Sequence, residues 1–432
     1  MLTQSNSLGR PDQPGTSEGA ADWRRTGIPT VLQVLPELVT GGVERGTVDM
    51  AAALVAAGWR AVVASAGGPM VRELERVGAD HITLPLKTKN PLAIRRNART
   101  LTKLIEREGV WLVHARSRAP AWSALWAARR AGVPFVTTFH GTYTPGPFGA
   151  KLAYNKVMTQ GDRVIAISHF IADHIRATYE MDDSLIRVVH RGIDIDVFNP
   201  DRVSAERMIR LCTRWRLADG APVVMLPGRL TRWKGQSVLI EALARLKRRD
   251  VRCLLVGSDQ GRVGYRDSLI ALARKRGVAD QVHIVDDCDD MAAAYMVTDV
   301  VVSASTDPEA FGRVVAEGQA MGRPVIAPAH GAAPEILKTG ATGWLVPPGD
   351  AEALAEALDQ ALSMDEASRQ SVAEAAIDHV RRCFSKQSMT ERTLAVYGEL
   401  LFDLPPLDPP PLRAVTEGQA EGAGVDDRWE GA

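Results

Sequence analysis

TVLQVLPELVTGGVERGTVDMAAALVAAGWRAVVASAG, residues 30–67, decides the fold. It opens on an apolar run, TVLQVLP (30–36), continues as an amphipathic stretch, VERGTVDMAAALVAAG (43–58), that Gly58 ends, and returns to an apolar run, RAVVASAG (60–67). The runs are nearly continuous rather than alternating, as expected of strands covered by helices on both faces. The unit repeats downstream. PMVRELERVG (69–78), HITLPL (81–86) and NPLAIRRNARTLTKLIEREG (90–109) read as helix, strand and helix. VWLVHAR, APAWSALWAARRAG and PFVTTFH follow, then DRVIAIS, SHFIADHIRATYE and IRVVHRG, to residue 192. Alternation of this kind predicts a doubly wound parallel sheet.

The rhythm pauses at DIDVFNPDRVSAERM (194–208) and restarts. APVVMLPG, VRCLLVGS, QVHIVDD, VVVSAS and PVIAPA read as strands; KGQSVLIEALARLKRR, YRDSLIALARKRG, MAAAYMVTD and EAFGRVVAEGQAMG (309–322) read as helices. TGWLVPPGD (342–350) reads as turn-rich, and three helical stretches run from 351 to about 402. The expected fold is α/β, with two Rossmann-like domains, 28–196 and 197–384, facing across a cleft. A last helix, 385–403, is expected to pack back on the first domain. In open α/β sheets ligands bind at the carboxyl ends of strands.

The chain has 432 residues, 45% of them apolar, with 52 Lys plus Arg against 52 Asp plus Glu. That length suits two or three domains with full cores. The even charge excludes a protein built to coat nucleic acid. Cys212, Cys253, Cys288 and Cys383 lie far apart, a spacing that fits neither a zinc site nor a disulfide framework and suits a reducing cytoplasm. Residues 1–27 lack the apolar core of a secretory signal and read as a disordered leader. Residues 404–432, which begin with a proline-rich run and end acidic and glycine-rich, read as a disordered tail.

The chemistry-bearing residues fall at strand ends. The chain has no GxGxxG, GxxxxGK[ST] or GxSxG motif; DDCDD (286–290) precedes a helix, where carboxylates commonly cap. In PGRLTRWKGQ (227–236), Arg229 and Lys234 follow the first strand of the second half. A guanidinium fork and a lysine point charge together suit a diphosphate, although a solvated basic loop is the plainer alternative. In SASTDPEAFGRVVAEGQAMG (303–322), Glu309 precedes a helix, Gly312 admits close backbone approach, and Glu317 lies inside. The helix start offers an anion site, and the carboxylates suit sugar hydroxyls; ordinary first-turn acids are the alternative. Gly41–Gly42 opens the first helix, and His140 ends a strand on the cleft side.

These residues carry a resemblance. EAFGRVVAE matches the Glu-x-Phe-Gly-x4-Glu pattern of the retaining glycosyltransferases of family 4, which have the GT-B fold. GRLTRWKG resembles that family's diphosphate loop, VVHRGIDIDVF its domain crossover, with Arg191 where Asn is commoner, and GGVERGTVDMAAAL its first loop and helix. The resemblance covers about 30–400. It implies that Arg229 and Lys234 hold the diphosphate of a UDP- or GDP-linked sugar and that Glu317 binds the ribose. It further implies that Glu309, with Phe311, Gly312 and Arg313, binds the donor sugar, and that Gly42 and His140 contact the donor. It implies transfer with retention, no metal and no cofactor. Glu309, Arg229, Lys234 and His140 form the expected catalytic set.

From Lys87 to Arg130 there are eleven Lys/Arg and two acids, and Arg95, Arg99, Lys103 and Arg107 share one helix face. A solvated face is the plain reading. Attraction to anionic lipid or to a lipid-linked acceptor is the other. The expectation is therefore a cytoplasmic enzyme, peripheral on the inner face of the cytoplasmic membrane, that builds lipopolysaccharide or another envelope glycan. A transferase for a small soluble sugar, a nucleotide-sugar epimerase and a non-enzymatic nucleotide-sugar binder are the alternatives.

Overall fold

The computed structural model describes residues 27–39, 41–143, 146 and 149–407. Residues 1–26 of the expected leader and 408–432 of the expected tail lie outside this set.

The first half runs β1 (Thr30–Val34), α1 (Gly42–Ala56), β2 (Arg60–Ser65), α2 (Val71–Arg76), β3 (Asp80–Thr83), α3 (Pro91–Arg107), β4 (Leu112–Ala115), α4 (Arg118–Ala131), β5 (Phe135–Phe139), α5 (Ala150–Asn155), β6 (Arg163–Ala166), α6 (His169–Tyr179) and β7 (Ile186–Val188). These strands form one parallel sheet in the order β3-β2-β1-β4-β5-β6-β7. Every residue of β1, β4 and β5 is buried, which explains the absence of alternation. Asn90 caps α3 through its side chain, which accepts from the amides of Leu92 and Ala93.

The second half runs α7 (Ala205–Trp215), β8 (Val223–Pro227), α8 (Gln236–Leu243), β9 (Arg252–Val256), α9 (Val263–Lys275), β10 (Val282–Val285), α10 (Met291–Met296), β11 (Val300–Val302), α11 (Arg313–Ala320), β12 (Val325–Pro328), α12 (Ala333–Ile336), β13 (Gly343–Val346), α13 (Ala351–Leu362), α14 (Glu366–Cys383) and α15 (Lys386–Phe402). Its parallel sheet has the order β10-β9-β8-β11-β12-β13. Both sheets reverse direction beside their first strand, between β1 and β4 and between β8 and β11. Crevices at such reversals are where doubly wound sheets bind ligands.

Helices α5 and α12 were not expected, α8 is shorter than read, and two further elements differ. The segment read as a pause, 194–208, runs into α7, an amphipathic helix that buries Leu211 and Trp215, four residues apart. The turn-rich TGWLVPPGD contains β13, an edge strand paired to β12 alone.

Helix α15 returns to the first sheet. It packs on α1, its Tyr397 hydroxyl lies 2.6 Å from Nδ1 of buried His114, and its Glu399 accepts from Arg163 and Arg187 at 2.7 Å. Among the described residues no helix is long and apolar enough to cross a membrane.

Candidate active site

On the second sheet, β8 ends at Pro227 and the chain turns through Gly228, Arg229 and a short 3-10 turn, Arg232–Lys234, before α8. Buried Leu230 anchors this loop, and the Gln236 side chain donates to the Arg229 carbonyl at 3.0 Å. Gly235 takes φ +69°, and a Cβ there would collide with the Ala304 carbonyl. Gly235→Ala is therefore expected to cost at least about 1 kcal/mol of stability, read as a lower urea midpoint. An unchanged midpoint would mean the loop is free to shift.

The loop delivers Lys234 to Glu309. Its Nζ lies 2.7 Å from Glu309 Oε1, and Ser305 Oγ donates to the same oxygen at 2.6 Å. The ammonium also sits 4.5 Å from the centre of the Trp233 ring. Glu309 is fixed from behind by Gly331: a Cβ there would stand 2.6 Å from the Glu309 carbonyl oxygen. Arg229 is exposed beside this pair in sequence and meets no carboxylate among the described residues.

Gly312, at φ +85°, starts α11, and Phe311 before it is buried. One turn on, Glu317 is 7% exposed; it accepts from the Tyr295 hydroxyl at 2.9 Å and from Arg313 Nη2 at 2.7 Å. Burial pushes the Glu317 carboxyl above its ordinary range, against the pull of Arg313 and Tyr295. In DDCDD, the Asp290 side chain caps α10 by accepting from the Ala293 amide and pairs with Arg207 at 2.6 Å.

On the first sheet, Gly42 begins α1, and the Arg191 guanidinium donates to its carbonyl. A Cβ on Gly42 would stand 2.9 Å from Arg191 Nη2, so glycine here makes room for an arginine head. His140 follows β5; both of its ring nitrogens are buried with no partner. Burial, then Arg116 and Arg191, hold its imidazole neutral, well below the usual histidine range.

The structure thus joins Lys234 to Glu309 and Arg313 to Glu317 on one wall, and gathers Gly42 and His140 with Arg191 on the other. A cavity of about 760 Å³ lies where the two halves meet, lined by Arg45, Gly46, Asp49 and Arg191 on one side and Arg207 and Arg313 on the other; Lys234, Glu309, Gly42 and His140 do not line it. The halves also touch directly. Ser168 Oγ donates to the Ala310 carbonyl at 2.8 Å, and Glu335 accepts from the His169 and Phe170 amides and lies 2.7 Å from His190 Nε2. Arg116, Glu335, Tyr295 and Ser305 were not singled out in the sequence. Arg116 alone had a signal, since it ends its strand as His140 does.

Residues 40–197 match the family model described as Glycosyltransferase Family 4, and residues 213–379 match Glycosyl transferases group 1. A curated relative, the D-inositol 3-phosphate glycosyltransferase of Mycobacterium sp. (strain KMS), is 32% identical over 294 residues, 64% of this chain and 64% of that protein. The chain thus spans a little under two thirds of that relative's length. The solved glycosyltransferase of Rickettsia africae ESF-5 is 37% identical and superposes with a TM-score of 0.81 over 87% of this chain and all of that one. Anabaena Alr3699/HepE, solved with UDP and glucose, shares the fold at 24% identity and a TM-score of 0.73, over 86% of this chain and all of its own. With both family models and a full-length relative in agreement, the chain belongs to glycosyltransferase family 4, a family of hexosyl-transferring enzymes with the GT-B fold.

Proposed function

We propose that the protein moves a hexose from a UDP-linked donor, with retention, to a hydroxyl of an envelope glycan or glycolipid. One observation carries the reading: Lys234 and Glu309 meet at 2.7 Å at the reversal of the second sheet. A cation for a diphosphate and a carboxylate for sugar hydroxyls therefore sit side by side. In this reading Glu317 binds the ribose, and Gly42 and His140 contact the donor from the first half.

As the glycosidic bond breaks, negative charge grows on the leaving diphosphate. Arg229, Lys234 and the start of α11 stabilise it electrostatically, in place of a metal. The neutral imidazole of His140 hydrogen-bonds the donor sugar. Cleft closure excludes the water that would otherwise hydrolyse the donor. The UDP named with the Anabaena neighbour supports uridine over guanosine in the donor.

The envelope reading draws on α3. Arg95, Arg96, Arg99 and Lys103 are exposed on it, and Leu92 near its start is 74% exposed. Basic side chains beside an exposed apolar one suit an anionic lipid surface. A second reading, a small inositol phosphate as acceptor, is favoured by the name of the mycobacterial relative.

UDP at a hundred times its dissociation constant should stabilise the wild type by about 2.7 kcal/mol in a thermal-shift screen, with GDP and ADP giving less. Lys234→Ala should lose the shift. No shift with any nucleotide would remove the donor assignment. Sedimentation with anionic liposomes at low salt separates the acceptor readings: binding abolished by Arg95→Glu with Arg99→Glu supports the envelope, and no binding favours the soluble acceptor.

A further inference from the structure

Two arginines on the first domain's wall, Arg116 buried and Arg191 half-buried, lack a carboxylate partner among the described residues. Arg116 follows β4, one of the two strands at which the first sheet reverses. It is 5% exposed, and its Nε is buried with no partner. Arg191, in the crossover, lines the cavity between the domains. A Cβ on Gly46, which lines the same cavity, would stand 3.0 Å from Arg116 Nη2 and 3.6 Å from Arg191 Nη2. Both heads therefore converge on the first turns of α1. Arg313 adds positive charge to Arg191 from the other domain, and His140, with two buried unpartnered nitrogens, lies in the field of both Arg116 and Arg191.

Neither Arg116 nor Arg191 is in an ion pair among the described residues. Asp49 is the acid that acts on both, and Glu44 acts on Arg191 as well, but neither meets an arginine head as an ion pair. Like charges taken out of water beside a helix start repel one another unless an anion joins them. The donor diphosphate has its own cations, Arg229 and Lys234, on the opposing wall.

We propose that Arg116 and Arg191, whose heads meet beside Gly46, form an oxyanion subsite that holds a phosphate or carboxylate of the acceptor. The proposal rests on the glycosyltransferase reading for the word acceptor, and on the arginines for the site itself. Two guanidinium forks match the paired oxygens of either group. The subsite restricts acceptors to those with an anionic group near the reacting hydroxyl.

The test is calorimetric titration of inorganic phosphate, and separately of acetate, into the full-length protein saturated with UDP at constant ionic strength. Wild type should bind phosphate with UDP present. Arg116→Gln should weaken that binding at least about tenfold while UDP affinity stays within about threefold. Arg191→Asn, which installs the residue commoner at that position in the family, should do the same and guards against a folding failure in the first variant. Arg229→Ala should do the reverse, losing UDP and keeping phosphate. Phosphate bound only when UDP is absent, or equally by all variants, overturns the subsite. Phosphate bound as expected by a protein that never binds UDP would leave the subsite standing and sink the donor reading.

Discussion

Lys234→Ala is expected to lower kcat/KM for sugar transfer by about 10²–10³, equivalent to about 3–4 kcal/mol of lost transition-state stabilisation. The lysine has two roles, and its loss removes both. In the proposed function its ammonium is a point charge for the leaving diphosphate, and its 2.7 Å contact orients Glu309, whose side chain is only 18% exposed. Without the lysine, Glu309 keeps the Ser305 hydroxyl but loses its counter-charge. The Glu309→Gln variant isolates the orienting contact, because the amide keeps the shape and loses the charge that aligns the ammonium. Because the two side chains act as a unit, the double variant should be hardly slower than Lys234→Ala alone. Initial rates of UDP release across the four proteins check this. Additive losses would mean that the two side chains meet different parts of the donor and that their contact is incidental.

The fold was legible because its strands are buried on both faces. Runs such as TVLQV and VVMLP leave no choice but a helix-covered sheet, and Gly58 and Gly132 mark helix ends with positive φ. Helix α7 was missed although Leu211 and Trp215 stand four apart among charged residues, an amphipathic pattern. Strand β13 was hidden because Gly343, Pro347, Pro348 and Gly349 punctuate it like a turn. KGQSVLIEALARLKRR read as one long helix, whereas α8 stops at Leu243, before the basic residues that reach solvent. In the site, the residues that follow strands announced themselves: Arg229, Lys234, Glu309 and His140 are polar groups where the chain leaves the sheet. Those whose importance lies in a partner far along the chain did not. Tyr295 acts through Glu317, and Arg116 matters because Arg191 arrives beside it. A pattern with period 2 or 3.6 carries no record of such meetings.

Glu335 is the strongest instance, and its replacement should have the second largest effect. Its carboxylate crosses from α12 to the other domain, caps α6 through the amides of His169 and Phe170 at 2.8 and 2.7 Å, and meets His190 Nε2 at 2.7 Å. A carboxylate at a helix start satisfies two orphan amides and the dipole together. Its side chain is 12% exposed and that of His190 2%, so solvent cannot readily replace either partner. Glu335→Ala should lower stability by about 1–3 kcal/mol, because two helix-start amides and His190 lose their acceptor in a poorly solvated place. Glu335→Gln should lie between, since the amide oxygen can still accept from one backbone N–H. The Ser168 contact to Ala310 lies at the same helix start, next to Glu309 in the chain, so a loosened interface should also raise the donor KM. Burial alone would raise the Glu335 carboxyl's pKa, but the hydrogen bonds from His190, Phe170 and His169 outweigh it and hold it below the ordinary 4.5. The contribution is therefore complete above that value and is lost as pH falls through the depressed one. Urea melts of wild type and Glu335→Ala should differ most near neutrality and converge in acid. A difference under about 0.5 kcal/mol at pH 7 would show that the contact adds nothing to stability and that the domains are held by their apolar surfaces alone.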